Sequence, residues 1–286
     1  MRNLYLPGSR AVKDVAIASS ATLHINSIYC IQHIALSLPF DLPFSVPLCL
    51  CGGSCFCLPP RCPWDMLAAM DAARIAALLE PFLRGAFLSA KLAAQLQTYL
   101  DLLLRWNART NLTSIRNPEQ IVTRHFGESL FAAKVLRDYG ILRSSSPVTL
   151  ADVGSGAGFP GIPIKLFAPQ VQLTLIESQN KKATFLREVL RALDIQNAEV
   201  YCGRAESWNQ STGIVTMRAV EKFSSALPVA SALVAAAGTL CLLVGGSQVG
   251  PIRQALEPEW QFRQAQDVPL SHGRVVVVGN HMDMAI

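Results

Sequence analysis

Asp152-Val-Gly-Ser-Gly-Ala-Gly-Phe-Pro-Gly161 is the stretch on which the reading of this chain turns. The apolar run before it, Val148-Thr-Leu-Ala-Asp-Val153, reads as a buried strand, and Ile162-Pro-Ile-Lys-Leu-Phe167 after it can open a helix. Glycines at 154, 156 and 158 permit a sharp turn and let a ligand approach bare backbone, because no Cβ intervenes. A strand, a glycine-rich turn and a helix N-terminus together make a nucleotide-type cofactor site. Counted from Gly154, a dinucleotide fingerprint G-x-G-x-x-G needs glycine at 159, where this chain has Phe. The pattern is instead acidic-x-G-x-G-x-G, with Asp152 two residues ahead of Gly154.

Working outward, strands are predicted near 148–153, 171–176, 198–202, 213–217 and 238–244, with helices near 161–168, 180–193 and 221–236. Such alternation argues for a doubly wound α/β domain with a mostly parallel sheet. Arg274-Val-Val-Val-Val278 is a late strand expected to pair antiparallel at its edge. Upstream, Ile75, Leu78 and Leu79, then Leu92, Leu96, Leu100 and Leu103, recur at helical spacing, with Pro81 and Gly85 punctuating two helices. A third helix is expected from Pro118 to about Arg137, with Asn117 as its N-cap, and Ser144–Pro147 is a linker. The expected organisation is an unmatched extension over 1–65, an N-terminal helical cap over 66–143, and a cofactor-binding domain over 147–286.

At 286 residues, 51% hydrophobic and 16% charged, the chain has ample material for a core. A net charge of +5 tolerates a nucleic-acid partner without demanding one. Six of the eight cysteines fall between Cys30 and Cys62. The pairs Cys49-x-Cys51 and Cys55-x-Cys57 depart from the usual C-x-x-C zinc spacing, so no metal site is expected. Residues 1–65 read as an over-extended start or a disordered tail, with neither a membrane span nor a signal peptide. Beyond them only Cys202 and Cys241 remain, which implies no disulfide framework and fits a cytoplasmic location.

The candidate chemistry follows the strand ends. Glu177 closes the second strand about twenty residues after the turn, where a carboxylate can accept both ribose hydroxyls of an adenosine. Ala205 and Glu206 follow the third strand, where the backbone and a carboxylate can read an adenine edge. Arg218 ends the fourth, positioned to meet a carboxylate of the cofactor or a substrate phosphate, with a salt bridge as the alternative. Lys181, Lys182 and Arg187 lie early in the helix after Glu177, against the macrodipole, which suggests phosphate contact or a solvated face. Asn107, Asn111, Arg116, Arg124 and His125 surround the segment joining the cap helices.

Acidic-x-G-x-G-x-G is the form found in S-adenosylmethionine methyltransferases. More specifically, Trp106-Asn107-x-x-x-Asn111-Leu-Thr-Ser-Ile-Arg116, Arg124-His125, Asp152 to Pro163 and Arg218-Ala219 resemble the RsmG family, also called glucose-inhibited division protein B, over about Met66 to Val278. The resemblance implies a Rossmann-like class I methyltransferase that uses S-adenosyl-L-methionine to methylate N7 of one guanine in 16S ribosomal RNA, guanine 527 in the standard numbering. It implies a monomer acting on that RNA or on the small ribosomal subunit. By position, its cofactor contacts fall on Gly154, Phe159, Ala205, Glu206 and Arg218. With the residues read above, the expected cofactor set is Asp152, Gly154, Gly156, Gly158, Phe159, Glu177, Ala205, Glu206 and Arg218. The expected RNA set is Asn107, Asn111, Arg116, Arg124, His125, Lys165, Lys181 and Lys182. Two departures bear on RNA contact: Val244-Gly245 replaces a frequent Lys-Gly, and Gly279-Asn-His-Met-Asp-Met-Ala-Ile286 replaces a basic end. Guanine N7 carries a free lone pair, so no catalytic acid or base is expected, with Arg218 supportive. Competing readings are a methyltransferase for another RNA, a small molecule or a protein, a nicotinamide-dependent dehydrogenase, and an assembly factor that has lost its chemistry.

Overall fold

A computed structural model describes residues 70–86, 88–143, 147–219 and 223–282. The expectations for residues 1–65, including the two cysteine pairs, lie outside these. Asp71 caps α1 (Ala72–Leu83) by accepting from the Arg74 amide, and Ser89 caps α2 (Ala90–Asn107) by accepting from Leu92. Pro81 does not end α1. The helix continues to Leu83 because Phe82 and Leu83 are buried, and the chain turns only at left-handed Arg84 and Gly85.

The third helix starts as expected, with Asn117 accepting from Gln120 and Pro118 in the first turn. It is not uniform, however. Its first turn, α3 (Pro118–Ile121), passes into a π-helical turn, Val122–Gly127, before α4 (Glu128–Asp138). The widened turn brings His125 and Phe126 into the interior and aims Glu128 inward. Gly127 seats this turn against α1, since a Cβ there would lie 2.6 Å from the Phe82 ring.

The sheet has eight strands: β1 (Val148–Val153), β2 (Val171–Glu177), β3 (Ala198–Cys202), β4 (Thr212–Arg218), β5 (Val234–Gly245), β6 (Trp260–Phe262), β7 (Gln266–Asp267) and β8 (Arg274–His281). The order is β3-β2-β1-β4-β5-β8-β6, with β7 also on β8. The first five strands are parallel, and β8, lying between β5 and β6, pairs antiparallel with β5, β6 and β7. The fold is therefore the doubly wound, mostly parallel α/β sheet that the alternation implied.

Helices α5 (Gly161–Phe167) and α6 (Asn180–Ala192) pack with the cap on one face, in a core containing Tyr99, Phe126, Phe159 and Phe185. α7 (Phe223–Ala232) and α8 (Val249–Leu256) cover the other face, over Met217, Leu227, Leu242 and Ile252. Because α4 meets α5, β5 and β8, the cap covers the half of its face that no crossover helix reaches.

Three local readings change. β5 starts at Val234, not 238, because Ala235-Ala-Ala-Gly238 is a register shift against β4 whose small, unbranched residues look helical. α8 was not anticipated, its short apolar pattern being interrupted by Gly250 and Pro251. β6 and β7 were not anticipated either, at only three and two residues. Among the described residues, no helix is long and apolar enough to cross a membrane, and no group of three His, Cys, Asp or Glu side chains could hold a metal.

Candidate active site at the carboxyl edge of the sheet

Parallel β1, β2, β3, β4 and β5 deliver their carboxyl ends to one edge. At β1 the chain turns through Gly154, Gly156 and Gly158, with φ of +67°, +57° and +90°. The Gly156 amide donates to Glu177 Oε2 at 2.9 Å, and the Gln179 amide to Glu177 Oε1 at 2.8 Å. Glu177 is thus fixed at the turn, and each of its oxygens retains a lone pair for a hydroxyl donor. Gly158 is required on packing grounds: a Cβ would stand 2.4 Å from the Tyr99 hydroxyl and 2.6 Å from Ile162. Tyr99 braces the turn from beneath, donating to the Ala157 carbonyl while its ring stacks on Phe159 at 5.4 Å.

Asp152 turns inward. It is fully buried, with Oδ1 accepting from the Thr216 hydroxyl at 2.7 Å and Oδ2 from the Gly161 amide at 3.2 Å. Burial pushes its carboxyl up to about 6, although the hydrogen bonds from Thr216 and Gly161 pull the other way. Its role is to hold the turn onto the sheet. Gly161, left out of the expected site, belongs with it, because a Cβ there would fall 2.9 Å from Asp152. Gly156, Gly158 and Gly161 also satisfy G-x-G-x-x-G in a shifted register. Glycine spacing alone therefore does not choose between the two cofactor classes.

Ala205 and Glu206 form a 3-10 turn after β3 and line a cavity of about 570 Å³ with Trp208, Pro228 and Val229. Glu206 is exposed. Lys181 and Lys182 stand at the start of α6, the first exposed and the second half-buried.

Arg218 forms a buried network, in line with the salt bridge that the sequence left as the alternative. Its Nε and Nη2 donate to Glu128 Oε2 at 3.2 and 2.9 Å, Nη2 also donates to the Arg124 carbonyl at 2.7 Å, and Nη1 meets His125 Nδ1 at 2.9 Å. Four of its five N–H groups are thereby used inside the protein. Because a guanidinium can only donate, His125 Nδ1 must accept, which leaves the ring proton on Nε2 to be donated to Thr113 Oγ1 at 2.8 Å. Burial, reinforced by Arg218, Arg124 and Arg274, pushes His125 down to about 3, so its ring is neutral. That ring stacks on Phe159 at 4.8 Å, joining the π turn to the glycine turn.

Two expected RNA contacts are occupied elsewhere. Asn107 is buried, its Oδ1 accepting from the Leu112 and Thr113 amides at 2.9 and 3.0 Å, because it folds the loop after α2. Lys165 is buried at the opposite end of α5, donating to the carbonyls of Pro169 and Val171 at 2.7 and 2.6 Å. Asn111, Arg116 and Arg124 are exposed. Glu128 and Arg274 were missed. Glu128 falls at helical spacing with buried Phe131, Ala132 and Leu136, and a carboxylate in an apolar stripe signals a buried partner.

The family model for rRNA small subunit methyltransferase G, GidB, matches residues 92–275. The chain belongs to this family. A protein of Stenotrophomonas maltophilia named ribosomal RNA small subunit methyltransferase G is 38% identical over 201 residues, covering 70% of this chain and 89% of the relative. One of the same name from Xanthomonas euvesicatoria is 39% identical over 173 residues, covering 60% and 77%. Among solved structures, a SAM-dependent methyltransferase from Aquifex aeolicus matches at 15% identity and a TM-score of 0.46, over 60% of this chain and 97% of that one. A ribosomal protein L11 methylase from Lactobacillus delbrueckii matches at 15% and 0.45, over 55% and 80%.

Proposed function

We propose that this protein transfers a methyl group from S-adenosylmethionine to N7 of a single guanine in 16S ribosomal RNA, guanine 527. The observation that carries this reading is Glu177, 5% exposed and bonded to two backbone amides at the glycine turn, with lone pairs left for a nucleoside's ribose hydroxyls. Gly154, Gly156 and the Ala205–Glu206 turn would complete the donor site, and Phe159 its floor. When bound, the donor supplies an electrophilic methyl carbon.

The chain's own groups bind and align. Guanine N7 offers a lone pair without a proton, so no base is required. The titratable groups nearby fit that requirement: Asp152 lies beneath the turn, both His125 nitrogens are engaged, and Glu128 is buried in ion pairs. Alignment of two reactants can lower a barrier by about 7–11 kcal/mol. The test is chemical cleavage at N7-methylguanine in 16S RNA from a deletion strain. Loss of the cleavage supports the reading, and persistence removes it. Calorimetry with S-adenosylmethionine and with NAD decides the cofactor, tight NAD binding being the contrary result.

A further inference from the structure

Glu128 is one carboxylate facing two guanidinium groups, and Arg218 and Arg274 both approach its Oε2, at 2.9 and 3.1 Å. Their situations differ. Arg218 has acceptors for four N–H groups, whereas Arg274 Nε is close to the carboxylate without hydrogen-bond alignment; Arg274 Nε and Nη2 are buried with no hydrogen-bond partner among the described residues, while the side chain as a whole is 23% exposed. The exposed Arg124 adds a third cation, tied to the group through its own carbonyl. Among the described residues, three guanidinium groups against one carboxylate leave two positive charges in excess, and His125 stays neutral among them. Such an excess, with Arg124 exposed and part of the Arg274 side chain open to solvent, suits an anion.

Position within the sheet indicates which anion. The glycine turn and Glu177 end β1 and β2, while Arg274 opens β8 opposite Gly245 of β5. Since β8 is the third strand from β1, Arg274 stands about 14 Å to the side at roughly 4.8 Å per strand. The Arg274 backbone therefore enters the cluster from the half of the edge away from the glycine turn. A guanidinium fork matches two phosphate oxygens at once.

We infer that Arg274, held by Glu128, forms with Arg124 a seat for a phosphodiester group of the RNA strand carrying the target base. This seat rests on the function proposed above. It is tested by measuring binding of the full-length protein to small subunits from a deletion strain across a range of salt. Arg274→Gln and Arg124→Gln should each weaken binding about tenfold and reduce the slope of log K against log salt by about 0.7–0.9. Calorimetric binding of S-adenosylmethionine should be unchanged, and Arg274→Lys should keep the slope. Arg124 is exposed, so its variant carries the test if Arg274→Gln fails to fold. An unchanged slope in a wild-type background that methylates overturns the seat alone. So does loss of donor binding with RNA binding intact, which assigns the guanidinium to the donor's carboxylate. A wild-type protein that neither binds nor methylates removes the proposed function and the seat together.

Discussion

The glycine turn at β1 and the junction around Glu128 stand a few strands apart on one sheet edge, yet they are built on opposite principles. The turn is local: backbone amides, a carboxylate two strand-lengths of sequence away, and glycines whose missing Cβ atoms make room for Tyr99 and Asp152. The junction is assembled from distant segments, with Glu128 from α4, Arg218 from β4 and Arg274 from β8 meeting on one oxygen. A backbone-built turn leaves its side chains free for a ligand. A side-chain-built junction spends its charges on holding the cap to the sheet, and only what it fails to spend is available to a partner.

The sharpest break of this comparison is Glu128→Gln. It removes the carboxylate that, among the described residues, stands between two partly buried guanidinium groups, so a loss of about 3–5 kcal/mol in unfolding free energy is expected, measured by denaturant titration. A loss below 1 kcal/mol would show that the junction does not hold the cap.

Within the turn, Gly158→Ala meets Tyr99 and Ile162 at under 3 Å and carries φ of +90°, so about 1–3 kcal/mol of overpacking is expected. Gly156→Ala meets only the Gly154 carbonyl, at 3.8 Å, and should cost about 1 kcal/mol for its left-handed backbone. Equal losses in the two variants would contradict the view that Gly158 serves packing. Glu177→Gln should leave stability within about 1 kcal/mol while weakening calorimetric donor binding about tenfold, since the proposed function sets it against the ribose. Unchanged donor affinity would move the ribose contact elsewhere.

The smallest effect is on acid stability. His125, pushed down to about 3, contributes stability present above its ordinary 6.5 and lost as pH falls toward 3. Asp152, pushed up to about 6, works the other way: its contribution is full below 3.8 and lost as pH rises through 6. The two oppose each other between pH 3.8 and 6. Asp152→Asn removes the offset, so the variant's urea midpoint should fall more steeply across that window than the parent's. Parallel profiles would mean that Asp152 does not titrate there.

The strands and helices of the alternating half, the glycine turn and the Asn117 cap were all legible, because each depends on residues near one another in sequence or on period-2 and period-3.6 burial. Arg218 was legible as important but not as what it is. A charged residue ending an apolar strand announces a partner, and nothing in the chain's order says whether that partner is a ligand or a buried glutamate ninety residues earlier. Asn107 and Lys165 were misplaced for the same reason: polar side chains close to a motif were assigned to the ligand, while their hydrogen bonds go to the protein's own backbone. Local backbone geometry and apolar periodicity are short-range quantities, and they carried the parallel α/β fold and its glycine turn. Which charges cancel and which remain is settled only when α4, β4 and β8 come together, because pairing energy depends on distance and burial and not on separation along the chain.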